Sequence, residues 1–203
     1  MLTAIVLAAG DSTRMGSPKA LLLDPEGRPF VARIARTFAA AGVPDVVIVT
    51  GSQHAAIADA LAADGLPAQP RLVRNPDPSR GQLSSLWVGM HALVKADVHA
   101  ILVTLVDVPM VSASTICKVI EAWRRTHAPV VRPAVGARHG HPVLFDRALF
   151  DDLRRAPLNE GAKAVVHAHA DRVVNVPVDD QGCLVDVDTP AEYERLLRDA
   201  AHG

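Results

Sequence analysis

Two cations, Arg14 and Lys19, follow closely on an apolar run from Ala4 to Ala9 that ends at Gly10. An apolar run of this kind reads as a buried parallel strand, and glycine lets the chain turn sharply at its end. Such a turn lies at the carboxyl edge of a sheet, where backbone N–H groups can converge on an anion. Arg14 adds a planar fork for phosphate oxygens and Lys19 a mobile point charge. The chemistry suggested is polyphosphate binding. A Walker loop is excluded because Ser17 and Pro18 separate Gly16 from Lys19, and a dinucleotide fingerprint is excluded because its three close glycines are absent. On composition alone the segment is equally a Gly/Ser turn with two solvated cations.

Acidic residues supply the other half of a phosphate-transfer site. Asp107 follows the apolar run Ile101 to Val106, which puts a carboxylate at the end of a central strand, and Pro109 bends the chain away. Mg²⁺ prefers oxygen and is commonly held by one or two carboxylates together with substrate phosphates, which makes Asp186 and Asp188 candidate second ligands. If their segment is extended, they point to opposite faces and only one can join Asp107. The plain alternative is that these acids cap turns.

Three further features carry polar chemistry. Ser84 and Ser85 stand just after Gly81, where either can cap a helix and leave free N–H groups facing a ligand. His139 and His141 flank Gly140 beside Arg138, a pair that suits an anion or a structural role better than a zinc site lacking further ligands. Lys163 follows Gly161 at the start of an expected helix and reads as solvated.

The elements that position these groups alternate. Strands are predicted at Ala4–Ala9, Val46–Thr50, Arg71–Arg74, Ala100–Val106, Pro129–Arg132 and Val143–Phe145. Helices are predicted at Pro29–Ala41, His54–Ala63, Ser84–Lys95, Ser112–Thr126 and Pro190–Ala201, with others beginning near Asp146 and Asn159. Thr189 is placed to cap the last helix, with Pro190 at its first position. The pattern predicts an α/β fold: a single domain over 1–203, with three layers around a mostly parallel, mixed sheet. The less regular stretch from Arg138 to Val178 reads as a flap beyond the main sheet.

Composition narrows the partners. A chain of 203 residues with 49% hydrophobic content can build one sizeable core, and a net charge of −1 offers no broad basic field for nucleic acid. No run approaches the ~20 apolar residues that span a bilayer, and no signal-peptide pattern opens the chain, so the expected setting is cytoplasmic and off the membrane. Cys117 and Cys183 form neither a metal spacing nor a disulfide framework. Aromatic content of 3% leaves few stacking platforms, so a base meets mostly backbone.

The segment Leu7-Ala8-Ala9-Gly10-Asp11-Ser12-Thr13-Arg14-Met15-Gly16-Ser17-Pro18-Lys19 resembles the signature of the MobA-like nucleotidyltransferases, most closely the molybdenum cofactor cytidylyltransferases. Gly81 to Leu86, Val106 to Pro109, His139 to Phe145 and Val187 to Pro190 follow in that family's order, over nearly the whole chain. The resemblance implies a Rossmann-like nucleotidyltransferase fold. It also implies a nucleotide site at Leu7, Ala8, Ala9, Gly10, Arg14, Lys19, Gly81, Ser84 and Ser85, and catalytic roles for Arg14, Lys19 and Asp107. Asp188 rather than Asp186 is selected as the partner of Asp107 on Mg²⁺, and His139, Gly140 and His141 fall on the acceptor side.

In related enzymes the Ala8-Ala9-Gly10 form accompanies CTP and an Ala-Gly-Gly form accompanies GTP, so the resemblance implies CMP transfer from CTP to the terminal phosphate of molybdenum-molybdopterin. It leaves room for transient contact with a molybdoenzyme. The family more often shows Gln where this chain has Val108, which keeps a guanylyltransferase or another acceptor open. A carrier of finished cofactor is the reading from a different class.

Overall fold

The computed structural model describes residues 1–10, 15–93 and 97–201. Arg14 and the Lys95 end of the helix expected from Ser84 lie outside those residues. Eight strands form one sheet: β1 (Leu2–Ala8), β2 (Val46–Thr50), β3 (Arg71–Arg74), β4 (Ala100–Leu105), β5 (Val130–Val135), β6 (Arg138–His139), β7 (Val143–Asp146) and β8 (Val173–Pro177). The order is β3-β2-β1-β4-β7-β5-β6, with β8 also pairing β5. Strands β3, β2, β1 and β4 are parallel, β7 is antiparallel to β4 and β5, and β8 is parallel to β5. The fold is a single α/β domain with a mixed, mostly parallel sheet.

Alternation along the strands builds two cores. Ala4, Val6, Leu102 and Val131 face one side, where they pack with α1 (Phe30–Ala40), α2 (His54–Asp64) and α4 (Ala113–Thr126). Ile5, Leu7, Ile101 and Val103 face the other, with α3 (Gln82–His91), α5 (Phe150–Arg155) and α6 (Ala162–Ala168). Helix α1 shows how the helices earn their places: Phe30, Ile34 and Phe38 recur at helical spacing and are all fully buried. The last helix, α7 (Pro190–Ala201), begins at Pro190 as predicted.

Two expectations change. The stretch from Arg138 to Val178 is not a flap: β7 sits inside the sheet between β4 and β5, because Leu144 and Phe145 bury opposite faces of it in the two cores. Helix α3 starts at Gln82 with Gly81 as its N-cap, so neither Ser84 nor Ser85 caps it. Gly81 takes a φ of 93°, a conformation open to glycine at little cost, and this lets the chain enter the helix two residues early.

Candidate active site

The chain runs from β1 out to β2 and β3, then returns to place β4 on the other side of β1. The reversal leaves a crevice beyond the carboxyl ends of β1 and β4, the usual ligand position in open α/β sheets. Lys19 opens a short 3₁₀ turn (Lys19–Leu21) on the segment after β1, and Asp107 lies two residues past β4. The register Leu7 to Leu105 brings those two exits side by side.

Asp188 arrives from far along the chain. The amide of Val187 donates to the Asp107 carbonyl at 2.9 Å, which ties the two acidic segments together. A capping box then fixes Asp188: the Glu192 carboxylate accepts from the amides of Asp188 and Thr189, and the Thr189 hydroxyl accepts from the Glu192 amide. These bonds hold the Glu192 carboxyl below the usual range.

The Lys19 ammonium bridges the two acids. Nζ donates to Asp107 Oδ2 at 3.1 Å and also to Asp188 Oδ1. Burial alone would lower the lysine pKa, but the hydrogen bond that Nζ donates to Asp188 and the charge of Asp107 prevail and raise it above 10.5. Asp107 Oδ1, on the same carboxylate, is buried and meets no hydrogen-bond partner among the described residues. A convergent pair of acids already closed around one positive charge, with an unsatisfied oxygen beside it, fits a divalent cation that takes one or two carboxylates and completes its shell from phosphate.

A cavity of about 360 Å³ opens on the α3 side of the sheet, and His141 on its wall lies in the field of Asp107. Leu7, Leu83, Leu86, Val103 and Phe145 give it apolar walls, and Gln82, Arg132, His141, Glu160 and Lys163 bring polar groups to it. Lys163 is exposed, in keeping with its solvated reading, and sits on the cavity lining. Loss of solvent lowers the His141 pKa below 6.5, opposed by the Val103 carbonyl and by the charges of Asp186 and Asp107.

Residues 4–173 match the family described as the MobA-like NTP transferase domain. The chain belongs to that family. It is 31% identical to nicotine blue oxidoreductase of Paenarthrobacter nicotinovorans, over 97% of this chain and 96% of that protein. It is 27% identical to a probable molybdenum cofactor guanylyltransferase of Mycobacterium avium, over 97% and 95%. Among solved structures, Rv0371c of Mycobacterium tuberculosis is 28% identical with a TM-score of 0.79, over 97% of each chain. The same protein in complex with manganese gives 26% and 0.75, over 97% and 98%.

In this MobA-like chain Lys19, Asp107 and Asp188 meet, with Leu7 and His141 on the adjoining cavity. Ala8 and Ala9 are buried at the end of β1, and Gly10 is exposed. His139 lies exposed on β6. Gly140 is a packing position, since a Cβ there would meet the Cys183 carbonyl oxygen at 2.4 Å. Ser84 and Ser85 are buried, and their hydroxyls accept from Asn75 Nδ2 at 3.0 Å each. Val108 is fully buried, so the departure from the family's glutamine falls in the core.

Sequence reasoning missed Asn75 and Arg132, which carry no motif of their own, and passed over Gln82 inside the Gly81 to Leu86 motif. Alternation sets Asp186 on the face opposite Asp188 only if their segment is extended. That segment follows a 3₁₀ turn (Gln181–Leu184), enters from an extended Val185 and belongs to none of the eight strands. Loss of solvent and the Asp107 charge both raise the Asp186 pKa, which places that carboxylate in the field of the cluster. Among the described residues no group of three or more His, Cys, Asp or Glu lies close enough to hold a metal ion, and no helix is long and apolar enough to cross a membrane.

Proposed function

We propose that this chain is a Mg²⁺-dependent cytidylyltransferase that joins CMP from CTP to the terminal phosphate of molybdenum-molybdopterin, in the cytoplasm where those substrates occur. The observation that carries the reading is the meeting of Asp107 and Asp188 on the Lys19 ammonium beside a cavity large enough for an acceptor. An acceptor phosphate oxygen attacks the α-phosphorus, and the bond to the β-phosphate oxygen breaks, releasing pyrophosphate with the electron pair. The nucleophile is already ionised near neutral pH, so no general base is assigned.

Asp107 and Asp188 would hold Mg²⁺ in this reading, a role supported by the manganese complex of Rv0371c and by the buried Asp107 Oδ1, which meets no partner among the described residues. The ion's chemistry is to neutralise triphosphate charge and polarise the phosphoryl oxygens. Lys19 and Arg14 share that charge, and the nucleotide lies along Leu7, Ala8, Ala9 and Gly10 on one side and Gly81, Ser84 and Ser85 on the other. The acceptor enters past His139, Gly140 and His141. Positioning and electrostatic stabilisation supply the rate.

The Ala8-Ala9-Gly10 form supports CTP, whereas the Mycobacterium avium relative favours a second reading, GMP transfer. Incubation with Mg²⁺, molybdenum-molybdopterin and either CTP or GTP, followed by pyrophosphate, separates them. CTP is expected to turn over, and Asp107→Ala to lose at least about 100-fold in rate, ~2.7 kcal/mol. Turnover of GTP alone would replace the nucleotide. Reduction of a dye without pyrophosphate would replace the transferase, and full biological activity of Asp107→Ala would favour a carrier.

A further inference from the structure

The groups that meet in the site come from three separate segments, and one hairpin, together with Arg33 which holds it, links all three. It begins directly after the Lys19 turn, where the Leu22 amide donates to the Lys19 carbonyl at 3.1 Å. The Phe30 amide closes it on the Leu22 carbonyl at 2.8 Å, and Asp24 is its hub. The Asp24 side chain is fully buried, and its Oδ1 accepts from the amides of Glu26 and Arg28 at 2.8 Å each. A carboxylate so enclosed requires a cation.

Arg33, on α1, is that cation. Its Nη1 donates to Asp24 Oδ2 at 2.9 Å, and its Nε donates to the carbonyl of Pro109 at 3.1 Å. Pro109 stands two residues after Asp107. One guanidinium therefore clasps the hairpin that follows Lys19 and the turn that carries Asp107. The third segment joins from α7, where Tyr193 donates its hydroxyl to the Leu23 carbonyl at 2.9 Å and its ring meets Phe30 edge to face. Helix α7 is also the helix whose capping box fixes Asp188.

We infer that Arg33, braced by Asp24, is a positioning residue that sets the spacing of Lys19 and Asp107 across the cation site. This rests on the proposed nucleotidyl transfer, but concerns residues that touch no substrate. The planar fork matters because its Nε and Nη1 donate in fixed, different directions, one to Pro109 and one to Asp24, an orientation that a point-charge ammonium on a flexible stem does not impose. Misplacement of reacting groups by about 1 Å costs on the order of 100-fold in rate. Disturbing the clasp therefore weakens the cation site more than it weakens the fold.

The test compares Arg33→Lys, Arg33→Ala and Asp24→Asn with Arg36→Ala. Arg36 lies on the same helix, where its Nε donates to Asp64 Oδ2 at 2.6 Å, away from the site. Each protein is titrated with Mn²⁺ and CTP, reading free Mn²⁺ by electron paramagnetic resonance, and each is melted. Arg33→Lys is expected to melt near the wild type yet bind Mn²⁺ with CTP about tenfold more weakly, with kcat reduced more than the KM for CTP is raised. Arg36→Ala is expected to melt lower and bind normally. Where Arg33→Ala does not fold, Arg33→Lys and Asp24→Asn decide. Unchanged Mn²⁺ binding in both, with the wild type binding, overturns the role of Arg33 alone. A wild type that binds no Mn²⁺ with CTP brings down the reading of the site, and this inference with it.

Discussion

Lys19 and Asp107 are separated by 88 positions in the chain, yet Nζ of one lies 3.1 Å from Oδ2 of the other. The contact follows from topology, since both residues leave neighbouring parallel strands whose carboxyl ends face the same crevice. Asp188 bonds the same ammonium, so a single positive charge separates two carboxylates. Without that charge the acids repel, and each makes the other harder to ionise.

Lys19→Met is therefore expected to cost about 1–2 kcal/mol at pH 8, a value kept modest because Asp188 retains enough water to screen part of the interaction. The sign with pH is fixed by the raised lysine pKa. A base whose folded pKa exceeds its unfolded value contributes fully below the unfolded value and loses that contribution as pH climbs through the folded one. Urea unfolding should show the wild type losing its advantage over Lys19→Met only above about pH 10.5. An advantage that vanishes near neutrality would mean that the ammonium does not bridge the acids.

Asn75 governs the entrance to α3. Its Nδ2 donates to both serine hydroxyls and its Oδ1 accepts from the Asp77 amide at 3.0 Å. Asn75→Ala leaves buried polar groups unmatched, so a loss of about 1–3 kcal/mol is expected. The turn from Gly81 to Ser85 loosens with it, and the KM for the triphosphate should rise several-fold while kcat at saturation changes less. Chemical denaturation and initial rates read the two effects separately. An unchanged KM would remove the turn from the nucleotide site.

Much of this arrangement is legible in the chain. The run Ile101 to Val106 is apolar because β4 is buried on both faces, and that run is what marks Asp107 as a strand-end carboxylate. Helix α1 is legible because one stripe faces the sheet. The place of β7 is not, since four residues of strand do not say which neighbour they pair with and pairing is decided by distant residues. Asp186 shows the same limit: alternation predicts its side only if the backbone is extended, and its segment belongs to none of the eight strands whose pairing would enforce that. Asn75 and Arg33 act through contacts that no local pattern encodes.

Gly140 is predicted to tolerate no side chain. A Cβ would stand 2.4 Å from the Cys183 carbonyl oxygen and 2.7 Å from its Sγ. The segment cannot simply move aside, because the His141 amide donates to that same carbonyl at 2.9 Å and the Gly140 amide to the Pro133 carbonyl at 2.9 Å. Gly140→Ala should destabilise by about 1–3 kcal/mol, the usual range for overpacking. Thermal melting checks this, and a melting temperature equal to the wild type would show that the two segments are looser than their contact implies.

His141 links the site to pH. Loss of solvent holds its pKa below the ordinary 6.5, against the Val103 carbonyl and the nearby Asp186 and Asp107 charges. The folded state thus prefers neutral imidazole, and the unfolded chain takes up the proton first. Stability must rise with pH between the folded value and 6.5, and fall as acid is added through that window. His141→Gln cannot be protonated and removes this one component. With nine histidines in the chain, the informative quantity is the difference between wild-type and variant unfolding free energies at each pH. That difference should be flat above about pH 7 and should shift against the wild type as the pH drops below 6.5. A difference that shifts in favour of the wild type on acidification would show that protonated His141 is welcomed by Asp107 and Asp186, and that the acids, not the loss of water, control the ring.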